Sequence, residues 1–135
     1  MQADELRTLQ APLKEHYRED PAAAEITLTA TGDLDEGVSC SVLDLRWLAP
    51  LDREALLAVA RYCGKVLICH EDSRTGGLGE SLAAIIQEEC FEQLDAPVRI
   101  LGALDTPVPY APPLEDAYLP GEERVLRAAR LLAAY

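Results

Sequence analysis

The segment that most narrows the possible folds is Lys65-Val66-Leu67-Ile68-Cys69-His70-Glu71, a short, almost uninterrupted apolar run with helical patterns on both sides. A strand without polar alternation suits a parallel sheet buried on both faces, because crossover helices then shield it from water. Upstream, Asp52 is a good N-cap, and Leu56, Leu57, Val59 and Ala60 follow at helical spacing until Gly64 offers a left-handed stop. Downstream, the glycine-rich turn Thr75-Gly76-Gly77-Leu78-Gly79 leads into a helix expected from Glu80 to Leu94. Pro97 to Gly102 forms the next strand. The proline-dense stretch Asp105–Pro120 reads as a loop, and a last helix runs from Glu122 to Ala134. Helices alternating with strands in this order make an α/β domain.

The first third has a different rhythm. Ala3 to Glu19 has a polar helical pattern with Leu6, Leu9 and Leu13 on one side, divided by Pro12. Glu25 to Thr31 alternates and is β-branched, as is Val38 to Leu45, and the turn Gly32-Asp33-Leu34-Asp35-Glu36-Gly37 lies between them. So short a connection forces an antiparallel hairpin. The expected fold is α/β and three-layered, with a mixed, mostly parallel sheet of about five strands and an appended N-terminal helix and β-hairpin. Residues 1–42 are one segment of this plan and 43–135 the other. The hairpin is expected to enter the sheet beside 65–71. An improvised edge of that kind favours pairing with another copy, so a homodimer is expected.

Charge excludes several roles. Twelve Lys and Arg stand against 24 Asp and Glu, a formal charge of −12. Nucleic acid and anionic membrane surfaces both require cations that this chain lacks. No apolar run approaches the roughly 20 residues of a membrane span, and the charged opening Met1–Glu15 is not expected to be a signal peptide. A cytoplasmic location is expected. Cys40, Cys63, Cys69 and Cys90 form no Cys-x-x-Cys and are expected to be reduced, mostly buried thiols. No metal ligands cluster, so no metal site is expected.

Two features invite a sharper reading. The pattern Gly76-Gly77-Leu78-Gly79 before a helix could cradle phosphate. It lacks the Gly-x-Gly-x-x-Gly spacing and a following Lys, and Glu80 would repel an anion, so a tight turn with close packing is expected. His70 and Glu71 end a strand where open α/β sheets bind ligands. As sequence neighbours on a strand they diverge, which favours a structural role over acid–base catalysis. The acidic groups Glu115-Asp116, Glu122-Glu123 and Gln87-Glu88-Glu89 read as solvated faces. The prolines around Tyr110 admit a polyproline-like ligand surface or a structural crossing over the sheet.

From Leu43 onward, several blocks carry a family resemblance in order and spacing. They are Leu43-Asp44-Leu45-Arg46-Trp47-Leu48-Ala49-Pro50-Leu51-Asp52, Ile68-Cys69-His70-Glu71, Arg74-Thr75-Gly76-Gly77-Leu78-Gly79-Glu80, Asp105-Thr106-Pro107-Val108-Pro109-Tyr110-Ala111, Leu114-Glu115 and Tyr118-Leu119-Pro120. This stretch resembles the C-terminal domain of the transketolase superfamily. Within it, the resemblance is to the beta subunit of the thiamine-diphosphate-dependent decarboxylase component of branched-chain 2-oxoacid or pyruvate dehydrogenase. It implies an intersubunit surface at His70, Glu71, Gly76, Gly77 and Gly79. It also implies docking of the acyltransferase core at Asp95 and Tyr135, although Arg99 stands where the family can carry an acid. The implied partners are an alpha subunit and that core. Thiamine diphosphate and magnesium belong to family motifs that this sequence does not show, so no catalytic or cofactor-binding residue is expected here.

Residues Leu13-Lys14-Glu15-His16-Tyr17-Arg18-Glu19-Asp20-Pro21-Ala22-Ala23-Ala24, with the strand Ile26–Ala30, resemble the N-terminus of OsmC-type peroxide reductases. The two expected functions are therefore a noncatalytic subunit-association domain and, as the alternative, a thiol peroxidase fragment.

Overall fold

A computed structural model describes residues 27–34, 38–45 and 48–135. The helix expected at 3–19 lies outside them. Strands β1 (Thr27–Leu34) and β2 (Val38–Leu45) form an antiparallel ladder with Thr27 opposite Leu45 and Leu34 opposite Val38. Next in the chain come helix α1 (Arg53–Cys63), strand β3 (Leu67–Ser73), helix α2 (Leu78–Cys90), a short 3-10 turn (Phe91–Gln93) and strand β4 (Arg99–Ala103). Helices α3 (Pro112–Tyr118) and α4 (Glu122–Ala133) complete the order.

Local chemistry sets the ends of α1. The Asp52 carboxylate accepts the Ala55 N–H at 2.9 Å, satisfying one of the free donors of the first turn. At the other end Gly64 sits at φ 67° and its N–H donates to Ala60 O at 3.0 Å. That left-handed conformation closes the helix at no side-chain cost. Leu56, Leu57 and Ala60 turn inward from α1, and Leu82, Ile86 and Cys90 from α2, onto Ile68 of β3. Ile86 and Cys90 are wholly buried. Spacings of three and four residues place each set on one helical face.

β3 and β4 pair in parallel, Leu67 with Arg99, Ile68 with Ile100 and Cys69 with Leu101. The ladder then shifts register before Ser73 meets Ala103. The α/β class is as expected, with α2 and α4 both packed on a parallel pair. A single sheet of about five strands is not seen among the described residues, whose four strands make two separate two-stranded sheets. The hairpin spends its hydrogen bonds on itself and joins the core through side chains instead, with Leu43 and Leu45 packed against the main cluster.

Other departures stem from the same arrangement. β3 is not covered on both faces: Ile68 is buried, whereas Cys69 and Glu71 are exposed, because the hairpin does not extend the sheet over them. Accordingly only Cys90 is a buried thiol. All four cysteines are free, with Cys40 and Cys63 half-buried. Helix α2 starts at Leu78 and gives way to the 3-10 turn after Cys90, instead of running from Glu80 to Leu94. The stretch 105–120 holds helix α3, with Pro112 and Pro113 at its first positions, where a missing N–H removes no intrahelical bond. No helix among the described residues is long and apolar enough to cross a membrane.

Replacing Ile86 by Ala should cost about 2–5 kcal/mol in chemical denaturation, since its fully buried position cannot collapse freely. Val108→Ala, at an exposed position, should stay within about 0.5 kcal/mol.

Candidate functional site

The C-terminal ends of β3 and β4 meet a turn in which successive polar groups are engaged. Arg74 N–H donates to Ala103 O at 3.3 Å, tying the turn to the end of β4. Thr75 donates its N–H to Asp105 Oδ1 at 2.9 Å and its hydroxyl to Asp105 Oδ2 at 2.7 Å. Gly76, at φ 72°, donates its N–H to Glu80 Oε2 at 3.1 Å. The other oxygen of Glu80 faces Arg74 Nη1 at 3.1 Å. The Thr75 amide, then its hydroxyl, with Arg74 nearby, hold the Asp105 carboxyl below the usual carboxylate range.

His70 lies beneath this turn. A methyl at Gly77 would come within 2.8 Å of His70 Cε1 and crowd the Ser73 carbonyl. One at Gly79 would overlap the imidazole and stand 2.9 Å from Ile100 Cγ2. Both ring nitrogens are buried without a hydrogen-bond partner among the described residues. The interface residues expected from the resemblance thus divide in two. Glu71 and Gly76 are exposed, Gly77 and Gly79 are buried, and His70 is half-buried under them. His70, Gly77 and Gly79 shape the turn from inside; Glu71 and Gly76 face solvent.

The turn does not suit a diphosphate. The Gly76 amide is already occupied by Glu80, whose carboxylate stands in the first turn of α2 and opposes an incoming anion. Among the described residues no three His, Cys, Asp or Glu side chains cluster as a cation would need. The turn, with Glu80 at the start of α2, therefore does not fit the diphosphate of thiamine diphosphate.

Beyond Asp105 the chain turns outward. Leu104, Val108, Tyr110 and Leu114 are all exposed, Tyr110 fully so. Four large apolar side chains thus fall within eleven residues, while Val42, Leu48, Tyr62, Phe91, Leu131 and Tyr135 are exposed elsewhere on the chain. Leu104 N–H donates to Tyr118 O at 3.3 Å, so the stretch returns to a buried residue of α3.

The opposite end of β3 carries the other expected group. Asp95 N–H donates to Gly64 O at 2.7 Å, and the neighbouring Lys65 Nζ donates to Ala133 O at 2.8 Å. Asp95 and the chain end at Tyr135 are thus drawn to one dipeptide, and both are exposed. Arg99 is exposed nearby on β4, its N–H bound to Val66 O.

The thiols give a peroxidase reading no support. Although the Cys69 residue is exposed overall, partial desolvation by its neighbours pushes the thiol up, away from the thiolate that such chemistry needs. Sequence reasoning placed Asp105 and Thr75 in matching blocks but missed their bond. The available signal was a single acid after the apolar run Ile100–Leu104 and ahead of prolines.

Residues 22–125 match the family described as "Transketolase, C-terminal domain", a range that includes the hairpin. The chain is 40% identical over 115 residues to 2-oxoisovalerate dehydrogenase subunit beta 2, mitochondrial, of Arabidopsis thaliana, covering 83% of this chain and 32% of that protein. It is 42% identical over 101 residues to 2-oxoisovalerate dehydrogenase subunit beta of Bacillus subtilis, covering 74% and 31%. With 3-methyl-2-oxobutanoate dehydrogenase subunit beta of Mycobacterium tuberculosis it shares 45% over 96 residues, covering 71% and 27%. The chain spans about a third of the length of the curated relatives it matches.

Gly79→Ala should lower stability by about 1–3 kcal/mol through overpacking. Adding His70→Ala should return part of that loss, a coupling that a double-mutant cycle measures. Asp105 gives a pH dependence. Its folded-state pKa lies below the unfolded value, so its contribution is present above about pH 3.9 and lost as pH falls through the folded pKa. The difference in unfolding midpoint between the unaltered chain and Asp105→Asn should stay constant from about pH 7 to 5 and shrink in stronger acid.

Proposed function

The chain belongs to the transketolase C-terminal-domain family, and from that membership we propose that it is a noncatalytic subunit-association domain of the 2-oxoacid dehydrogenase beta-subunit type. The observation that carries this reading is the apolar surface of Leu104, Val108, Tyr110 and Leu114. It stands at the end of the parallel pair where Glu71 and Gly76 are exposed. Apolar groups gathered on the exterior of an acidic chain gain free energy only when a partner covers them. The proposed partner at this end is a dehydrogenase alpha-type subunit. Without one, the surface pairs two copies of this chain, and the outer edge of β3, unpaired among the described residues, adds to that tendency. At the opposite end Asp95 and Tyr135 are the proposed contacts for an acyltransferase core. Four free thiols suit a reducing compartment, and the cytoplasm is the proposed location.

Noncatalytic function is supported by a glycine turn whose Gly76 amide is taken by Glu80, a carboxylate in the first helical turn that opposes an anion. Thiamine diphosphate with magnesium should leave the thermal midpoint unchanged, and a branched 2-oxoacid should not be decarboxylated. A shift of several degrees at micromolar cofactor would overturn the noncatalytic reading. Light scattering at micromolar chain should give about twice 14.7 kDa, falling to a single chain mass in a Val108→Asp, Tyr110→Asp variant. A mass unaffected by those two charges would remove the apolar surface from the interface.

A further inference from the structure

The apolar stretch is held in place by few bonds. Between Ala103, which ends β4, and Pro112, which begins α3, its tie to the glycine turn is Asp105. That single carboxylate takes both the amide and the hydroxyl of Thr75, one on each oxygen. The remaining backbone bonds there are Leu104 N–H to Tyr118 O, the local Thr106 N–H to Leu104 O, and Ala111 O accepting from the Leu114 and Glu115 N–H groups at the start of α3.

The anchor on the other side is firm. Arg74 is tied to Ala103 and to Glu80, Gly76 to Glu80, and Gly77 and Gly79 press on His70 with no room for a methyl. A strap is thus fastened to a rigid post. Pro107 and Pro109 fix φ along the strap, so it has few internal hinges. The position of Val108 and Tyr110 then depends on where Asp105 is held. Restricting a contact segment before it binds lowers the ordering cost of association.

We propose that the Thr75–Asp105 pair is a latch that holds the 104–114 strap in its presenting conformation, so that opening the latch weakens association while the folded core stays intact. This rests on the association reading above. Thr75 and Asp105 act as positioning residues: neither is required to touch the partner, and both are exposed. The hydroxyl is the replaceable half of the latch, since Thr75→Ser keeps it and Thr75→Val removes it. Asp105→Ala removes both acceptors.

The test compares the unaltered full chain with Thr75→Ser, Thr75→Val and Asp105→Ala by two readouts. Chymotryptic cleavage after the fully exposed Tyr110, together with amide exchange at Thr75 and Leu104, reports the strap. The concentration at which the light-scattering mass halves reports association. Thr75→Val and Asp105→Ala should raise cleavage and exchange several-fold and shift the association midpoint about tenfold upward. Amides of α1 and α2 should change far less than those of the strap, by no more than the small loss of global stability requires, and Thr75→Ser should behave as the unaltered chain does. Unchanged strap exchange in Asp105→Ala would overturn the latch. So would faster exchange with an unmoved association midpoint. If the unaltered chain shows no association at all, self-pairing falls, and the latch is decided by strap exchange alone.

Discussion

A parallel pair of strands cannot be closed by a tight hairpin; the chain must leave one strand, cross the sheet as a helix and return. In this protein that constraint falls on β3, α2 and β4. α2 brings Leu82, Ile86 and Cys90 down onto Ile68 and meets α1 across the same cluster. The crossover starts within a few residues of the end of β3, so the turn between them must bend sharply while passing close to its own strand. Gly76 supplies the positive φ, and Gly77 and Gly79 leave the space that His70 fills. The placement of α2, and through it the core and the end of β4, depends on that turn being held.

The turn also marks one of the two ends of the strand pair at which distant parts of the chain meet. At one end, Thr75 reaches across to Asp105 and thereby orients an apolar strap that the core has no use for. At the other, Gly64 and Lys65 gather Asp95 and the end of α4. Neither end assembles acid–base or metal-binding chemistry among the described residues. Both lie on a strand pair whose one buried polar group without a partner among the described residues is the His70 ring.

The α/β class, the N-cap at Asp52 and the stop at Gly64 were legible because each rests on interactions within a few residues. Helical spacing in α1 identified Leu56, Leu57 and Ala60 in the same way. The matching blocks pointed to the transketolase C-terminal family before any coordinate was needed. The sheet was less legible. A continuous apolar run indicated burial on both faces of β3, but coverage depends on which strands come alongside, and the hairpin forms its own sheet. Cys69 illustrates the point: its neighbours in sequence are apolar, yet its side of the strand is open.

By itself the sequence determined the alternation of α1, β3, α2, β4 and α4, the acidic composition, the glycine turn and the family, since all of these arise from local spacing and composition; helix α3 was not among them. The tertiary structure alone decided that His70 would sit beneath Gly77 and Gly79, that Thr75 would bind a carboxylate thirty residues away, and that Asp95 and Tyr135 would share one end. Those outcomes come from the crossing of α2 and the register of β3 against β4, which bring together groups that chain spacing keeps apart.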